Sequence, residues 1–115
     1  MPQKQCRQTR HLPAFILLVV AEAPLHGGGI HTALMERLPG LKPDTGAIYR
    51  TLQALEAEGE LSFAWDTSNP GPARKVYRLT PKGWERLAVW KGEIEHRLSL
   101  LQGFLSAYDR LSHPA

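Results

Sequence analysis

Cysteine is almost absent from this chain of 115 residues: Cys6 is the only one, so no intrachain disulfide can form, and a reducing cytosol is the fitting compartment. Lys4 and Arg7 flank that thiol, and nearby cations lower a thiol pKa, which would suit redox sensing. A free thiol on a polar tail is the plainer reading. Missing too is any apolar run near the roughly 20 residues a membrane span needs. The run from Ala14 to Ala21 follows Lys4, Arg7 and Arg10, and Ala21-Glu22-Ala23 imitates a secretory cleavage site. Pro13 at its start and its shortness suit a buried first helix better, and removing it would strip later helices of a packing partner. No nucleophile elbow, P-loop or dinucleotide fingerprint occurs. His11, His26, His31, His96 and His113 form no closed ligand set with cysteines or carboxylates, so neither a metal, a cofactor nor catalysis is expected.

What is present describes one soluble domain. The hydrophobic share of 43% and charged share of 22% can build a sizeable core at this length, but not two. A net charge of +3 permits a nucleic-acid partner without demonstrating one. The distribution is more informative than the sum. Arg74, Lys75, Arg78 and Lys82 follow one another with no acid between them, while acids gather at Glu56 to Glu60 and Glu85 to Glu95.

Along the chain, residues 1–11 read as a flexible basic arm. A first helix is expected from about Pro13 to Ala23, apolar nearly all round and ended by Pro24. Leu25-His26-Gly27-Gly28-Gly29 reads as a turn into a second helix, Ile30 to Leu38, which Pro39-Gly40 breaks. Asp44 is a good N-cap for a third helix, and Gly59 can close it in the left-handed conformation. Glu60 to Asp66 alternates Leu61, Phe63 and Trp65 on one face at strand period. Thr67 to Ala73, with Asn69-Pro70-Gly71-Pro72, is a loop, and Lys75 to Leu79 a basic return strand. Thr80 and Pro81 then have the chemistry of a cap and a first helical residue.

The third helix carries the sharpest signal. Ile48, Leu52 and Leu55 share one side, at about 100° per residue, and would be buried. The other side presents Gly46, Arg50 and Gln53, with Tyr49 on its flank and no acid. Arg50 could grip guanine O6 and N7, and Gln53 could pair with adenine N6 and N7. Tyr49, Thr45 and the free amides at the helix start could bond phosphates. Lys42, just ahead of the cap, and Arg74 and Lys75 on the return strand would add backbone contacts. An ordinary solvated face explains Arg50 or Gln53 singly about as well. Cap, face and following hairpin together point to double-stranded DNA.

The last helix has an a/d seam of Trp84, Leu87, Lys91, Ile94, Leu98, Leu101, Leu105 and Tyr108, widened by Trp90, Phe104 and Leu111. At 1.5 Å per residue some thirty residues reach roughly 45 Å, beyond the body of so small a domain. A second copy of the chain is the expected cover for Trp84, Leu87, Ile94, Leu98, Leu101, Leu105 and Tyr108. Folding back over the rest of the chain, with bends at Gly92 and Gly103, is the alternative. Trp84, Trp90 and Phe104 could line a flat pocket for a planar or cationic effector, or simply pack the dimer.

The expected fold is therefore mainly α with a small β-hairpin. A winged helix-turn-helix occupies 12–79 and a dimerisation helix 80–111. Over about residues 14 to 110 the chain resembles PadR-type transcriptional regulators. The resemblance rests on Ile16-Leu17-Leu18, Ala23-Pro24-Leu25-His26-Gly27, Gly46-Ala47-Ile48-Tyr49-Arg50-Thr51-Leu52, Leu55-Glu56-Ala57-Glu58-Gly59 and Arg74-Lys75-Val76-Tyr77-Arg78-Leu79-Thr80-Pro81-Lys82-Gly83. It implies a cytoplasmic winged-helix homodimer on a two-fold operator, usually a repressor, often controlled by a small molecule near the dimer interface. It also implies that Thr45, Gly46, Tyr49 and Arg50 sit on the recognition helix and Arg74 and Lys75 on the wing. One departure stands out: Gly28 replaces a tyrosine that often contacts the DNA backbone, so that contact is either missing or supplied by His31 or Thr32. A winged helix that binds protein instead of DNA is the competing function, since fold alone does not fix function.

Overall fold

The computed structural model describes residues 10–38, 40, 42, 44–68, 70–112 and 114. Cys6 and most of the basic arm lie outside the described residues. Helix α1 spans Leu12–Glu22, strand β1 Leu25–His26, helix α2 Gly27–Arg37 and helix α3 Thr45–Ala57. Strands β2 (Leu61–Asp66) and β3 (Arg74–Leu79) follow, then helix α4, Pro81–Asp109.

Helix α1 carries the core. Leu12, Ile16 and Leu17 are fully buried, as are Ile30 and Leu34 of α2 and Ile48 and Leu52 of α3. These side chains form one cluster with Leu61 and Tyr77 of the sheet. At about 1.5–3 kcal/mol each, burying seven such side chains is the main force holding the three helices together. An Arg37–Glu22 ion pair ties the exposed ends of α2 and α1.

The sheet has three strands, not the two expected, in the order β1-β3-β2. Leu25 and His26 leave the turn predicted for them and pair antiparallel with Tyr77 and Val76 of β3. Gly27 to Gly29 are likewise not a turn but the first turn of α2. The basic strand β3 is thus the central one. Its register with β2 sets Leu61 opposite Leu79, Phe63 opposite Tyr77 and Trp65 opposite Lys75. Directly opposed residues share a face, so these pairs form the side turned to α3. Cover fails toward the tip: Leu61 is buried, whereas Phe63 is 37% and Trp65 59% exposed.

The first turns of α4 lie on the domain and the rest projects. Leu87 and Trp90 pack against the core cluster. From Leu98 onward every described side chain is exposed, Leu101, Phe104, Leu105, Tyr108 and Leu111 included. That projection gives the molecule its 67 Å long axis against 30 and 22 Å. No helix among the described residues is long and apolar enough to cross a membrane.

Candidate nucleic-acid interface

Helix α3 begins where its chemistry requires. The Asp44 carboxylate accepts the Ala47 amide at 3.2 Å, the N-cap bond expected of it. The same oxygen, Oδ2, lies 3.8 Å from the Arg50 guanidinium, both side chains being largely exposed. The face read as free of acid therefore has a carboxylate at its edge. Gly46 keeps that corner open, because a Cβ there would sit 3.0 Å from Arg50 Nη1 and 3.1 Å from Asp44 Oδ2. Thr45 is exposed, and Lys42 lies exposed just ahead of the cap. The helix stops in a Schellman arrangement, with Glu60 N donating to Leu55 O, Gly59 N to Glu56 O, and Gly59 at φ +78°.

Further along α3, a groove of about 350 Å³ opens between four elements, β1, α2, α3 and β3. Tyr49 and Gln53 of α3, Arg74, Lys75 and Tyr77 of β3, and His26, Gly27 and Gly28 line it. Four residues chosen from sequence, Tyr49, Gln53, Arg74 and Lys75, meet there, while Lys42, Thr45, Gly46 and Arg50 stand before it around the helix start. Gly28, the position at which the resemblance implies a tyrosine, is on the groove wall. His31 and Thr32 are not among the groove-lining residues.

Two groove residues are more constrained than an isolated basic strand suggests. The Lys75 ammonium lies 3.5 Å from Glu56 Oε1 and 4.1 Å from the centre of the Phe63 ring. That carboxylate oxygen is buried and makes no hydrogen bond, so Lys75 is its compensating charge. Burial, and then the Glu56 carboxylate, push the Tyr77 phenol above its ordinary pKa. Arg74 reaches His26 Nε2 at 3.5 Å and joins the outer faces of β3 and β1. At the wing tip Asp66 accepts bonds from the Ser68 hydroxyl and amide, which hold its carboxyl below the usual range, with Arg74 adding to the effect. His26 and Gly27 were not singled out from sequence as site residues. Their role depends on β1, which has no periodicity of its own.

The second candidate site is an apolar trough of about 540 Å³ between α1 and α4. Phe15, Leu18, Trp84, Leu87, Trp90 and Ile94 are among its walls. Trp84 and Trp90 therefore share one cavity, whereas Phe104 is not part of it and is 68% exposed. On the other side of Trp90, Arg10, His11, Glu93, His96 and Arg97 edge a wider cavity of about 680 Å³. His11 stands edge-on to Phe15 at 6.4 Å and to Trp90 at 6.0 Å. Burial, then the charges of Arg97 and Arg10, lower its pKa. Among the described residues no three His, Cys, Asp or Glu side chains gather as a metal site would need.

Residues 16–89 match the model of the transcriptional regulator PadR-like family, which spans the three helices, the sheet and the start of α4. The chain belongs to that family. No curated protein sequence matches it. Among solved structures, one of a conserved protein of unknown function, described as a potential transcriptional factor, is 36% identical with a TM-score of 0.78. That match covers 90% of this chain and 91% of the other. A PadR-like transcriptional regulator from Bacillus cereus is 25% identical with a TM-score of 0.71, over 83% of this chain and 91% of its own. PadR of Bacillus subtilis, solved in complex with operator DNA, is 28% identical with a TM-score of 0.63, over 70% of this chain and 47% of that longer one. Regulation of transcription is accordingly the function of the family to which this chain belongs.

Proposed function

We propose that this chain is a sequence-specific DNA-binding repressor that acts as a homodimer on a two-fold operator. The observation that carries the reading is the convergence of Tyr49, Gln53, Arg74 and Lys75 on one groove beside the open, capped start of α3. The similar PadR of Bacillus subtilis was solved with operator DNA, which supports the same partner here. Helix α3 would enter the major groove with Arg50 and Gln53 at base edges. Lys42, Thr45, Tyr49 and the first amides of α3 would hold phosphates, and Arg74 and Lys75 would bring the wing against the backbone.

Dimerisation would come from α4. Leu98, Leu101, Leu105 and Tyr108 leave more apolar surface in water than one isolated helix sustains, so a second copy is the natural cover. Leu87 and Ile94 would join that interface from the half-buried end of the seam, with Trp84 beside them. Repression is the simplest outcome, because occupancy of a promoter excludes the transcription machinery without further contacts. A planar or cationic effector stacked on Trp84 and Trp90 in the trough, with a partner's Phe104 region closing it, would alter the angle between subunits.

A gel-shift titration on DNA from just upstream of the coding region, at two salt concentrations, tests the reading. A discrete shift with two chains per duplex is expected. Its log affinity should fall with log salt by about 0.9 for each phosphate neutralised. A clean dimer with no specific shift on that DNA or on random-sequence DNA would favour a protein-binding winged helix.

A further inference from the structure

The end of the recognition helix is fastened to the start of α4 by consecutive backbone groups. Lys82 Nζ donates to Glu58 O at 2.6 Å. The Thr80 hydroxyl donates to Gly59 O at 2.5 Å, and the Thr80 amide to Glu60 O at 3.2 Å. That hydroxyl also accepts the Gly83 amide at 3.0 Å, so one oxygen caps α4 and holds the chain leaving α3. Gly83 is buried directly against the Glu60 carbonyl: a Cβ there would fall 2.2 Å from that oxygen. Beneath it the Glu60 side chain, 5% exposed, has Arg86 Nε at 3.4 Å. Electrostatics favour the same join. The negative end of α3 meets the positive end of α4, and Lys82 and Arg86 bring cations to the carbonyl end.

Every residue that leaves α3 toward the wing is thus tied to α4 before the wing begins. Resting on the dimeric DNA-binding reading above, we infer that Thr80, Lys82, Gly83 and Arg86 set the half-site spacing the dimer accepts. They fix the angle between the helix that reads DNA and the helix that pairs the subunits. These are positioning residues, on the side of α3 remote from its capped start. Spacing is a separable property: one wing-helix unit alone meets one half-site, whereas the junction matters only when two units are held together.

The experiment takes the full-length protein and half-sites obtained by random-site selection, and varies the spacer one base pair at a time. Wild type should show one spacing optimum. Lys82→Ala/Arg86→Lys removes the Lys82 contact and repositions the cation at Glu60 while keeping that buried carboxylate compensated, and Gly83→Ala wedges the junction open. Both should broaden or move the optimum by at least one base pair. Affinity for the original spacing should fall roughly two- to thirtyfold while affinity for an isolated half-site holds. Should Gly83→Ala fail to fold, the double variant decides alone. Unchanged spacing preference, or equal losses on half-site and full operator, would overturn the inference. Wild type that binds no two-fold site would instead refute the dimeric reading beneath it.

Discussion

Asp44 and Arg50 are coupled at the start of helix α3, with the carboxylate 3.8 Å from the guanidinium. One acidic side chain both caps the helix and neighbours the arginine proposed to read a base. The two roles separate chemically, because asparagine is an equally good cap without the charge. Asp44→Asn should leave the melting temperature nearly unchanged and raise affinity for DNA. Asp44→Ala should cost about 1 kcal/mol of stability by losing the cap. Thermal melts and binding isotherms on the same preparations check both. Equal affinity in Asp44→Asn and wild type would mean the acid does not restrain Arg50.

Lys75 divides its charge between the fold and the groove. Removing it leaves the buried Glu56 oxygen uncompensated, so Lys75→Ala should lower the melting temperature by roughly 4–8 °C, the shift that 1 kcal/mol produces in a domain of this size. Glu56→Gln should fold well, free the ammonium and strengthen DNA binding with a steeper salt slope. The double variant should recover stability but not affinity. A melting temperature for Lys75→Ala equal to wild type would place the ammonium in solvent.

Much of this was legible because capping is local. Asp44, Gly59, Thr80 and Pro81 act within one turn of themselves, and each has the role its type implies. What escaped sequence reading depends on distant partners. Strand β1 is two residues long and exists only because Tyr77 and Val76 lie beside it. Three glycines spell a turn by propensity, yet they open α2, where Tyr49, His26 and Leu25 occupy the space that side chains would fill. Lys75 looked like a free cation because Glu56 is a neighbour only through the packing of β3 on α3. The a/d seam of α4 was visible as a pattern, but its first part packs on the core of its own chain, a division that periodicity does not mark.

Gly27 faces Tyr49 closely. A Cβ there would lie 2.6 Å from the Tyr49 hydroxyl and 2.8 Å from Cε1. Tyr49 is an exposed side chain at the groove, free to swing away, so Gly27→Ala should cost little stability. DNA affinity should fall several-fold, and Tyr49→Phe in the same background should add little further loss, because neighbours that act together are not additive. Additive losses would show that Gly27 does not act through Tyr49.

His11 makes the packing of α1 on α4 sensitive to acid. Its pKa in the folded chain lies below 6.5, so the neutral ring is the one the fold prefers. The stability it contributes is fully present above pH 6.5 and is lost as pH falls through the lowered folded value. His11→Gln should flatten the melting temperature across that window. Trp90 fluorescence, isolated by replacing Trp65 and Trp84 with phenylalanine, reports the ring packed on His11 and should change over the same range. A wild-type melting temperature flat through that window would contradict the assignment.

The most direct test of the central claim is random-site selection with the full-length protein, followed by the same selection with Arg50→Ala. The account expects wild type to enrich a two-fold symmetric motif with half-site centres about one helical turn apart. The variant should lose base preference at one position in each half-site while keeping the others. Failure of wild type to enrich any symmetric motif would contradict the claim that this chain reads DNA as a dimer. A variant motif identical to wild type would remove Arg50 from base recognition.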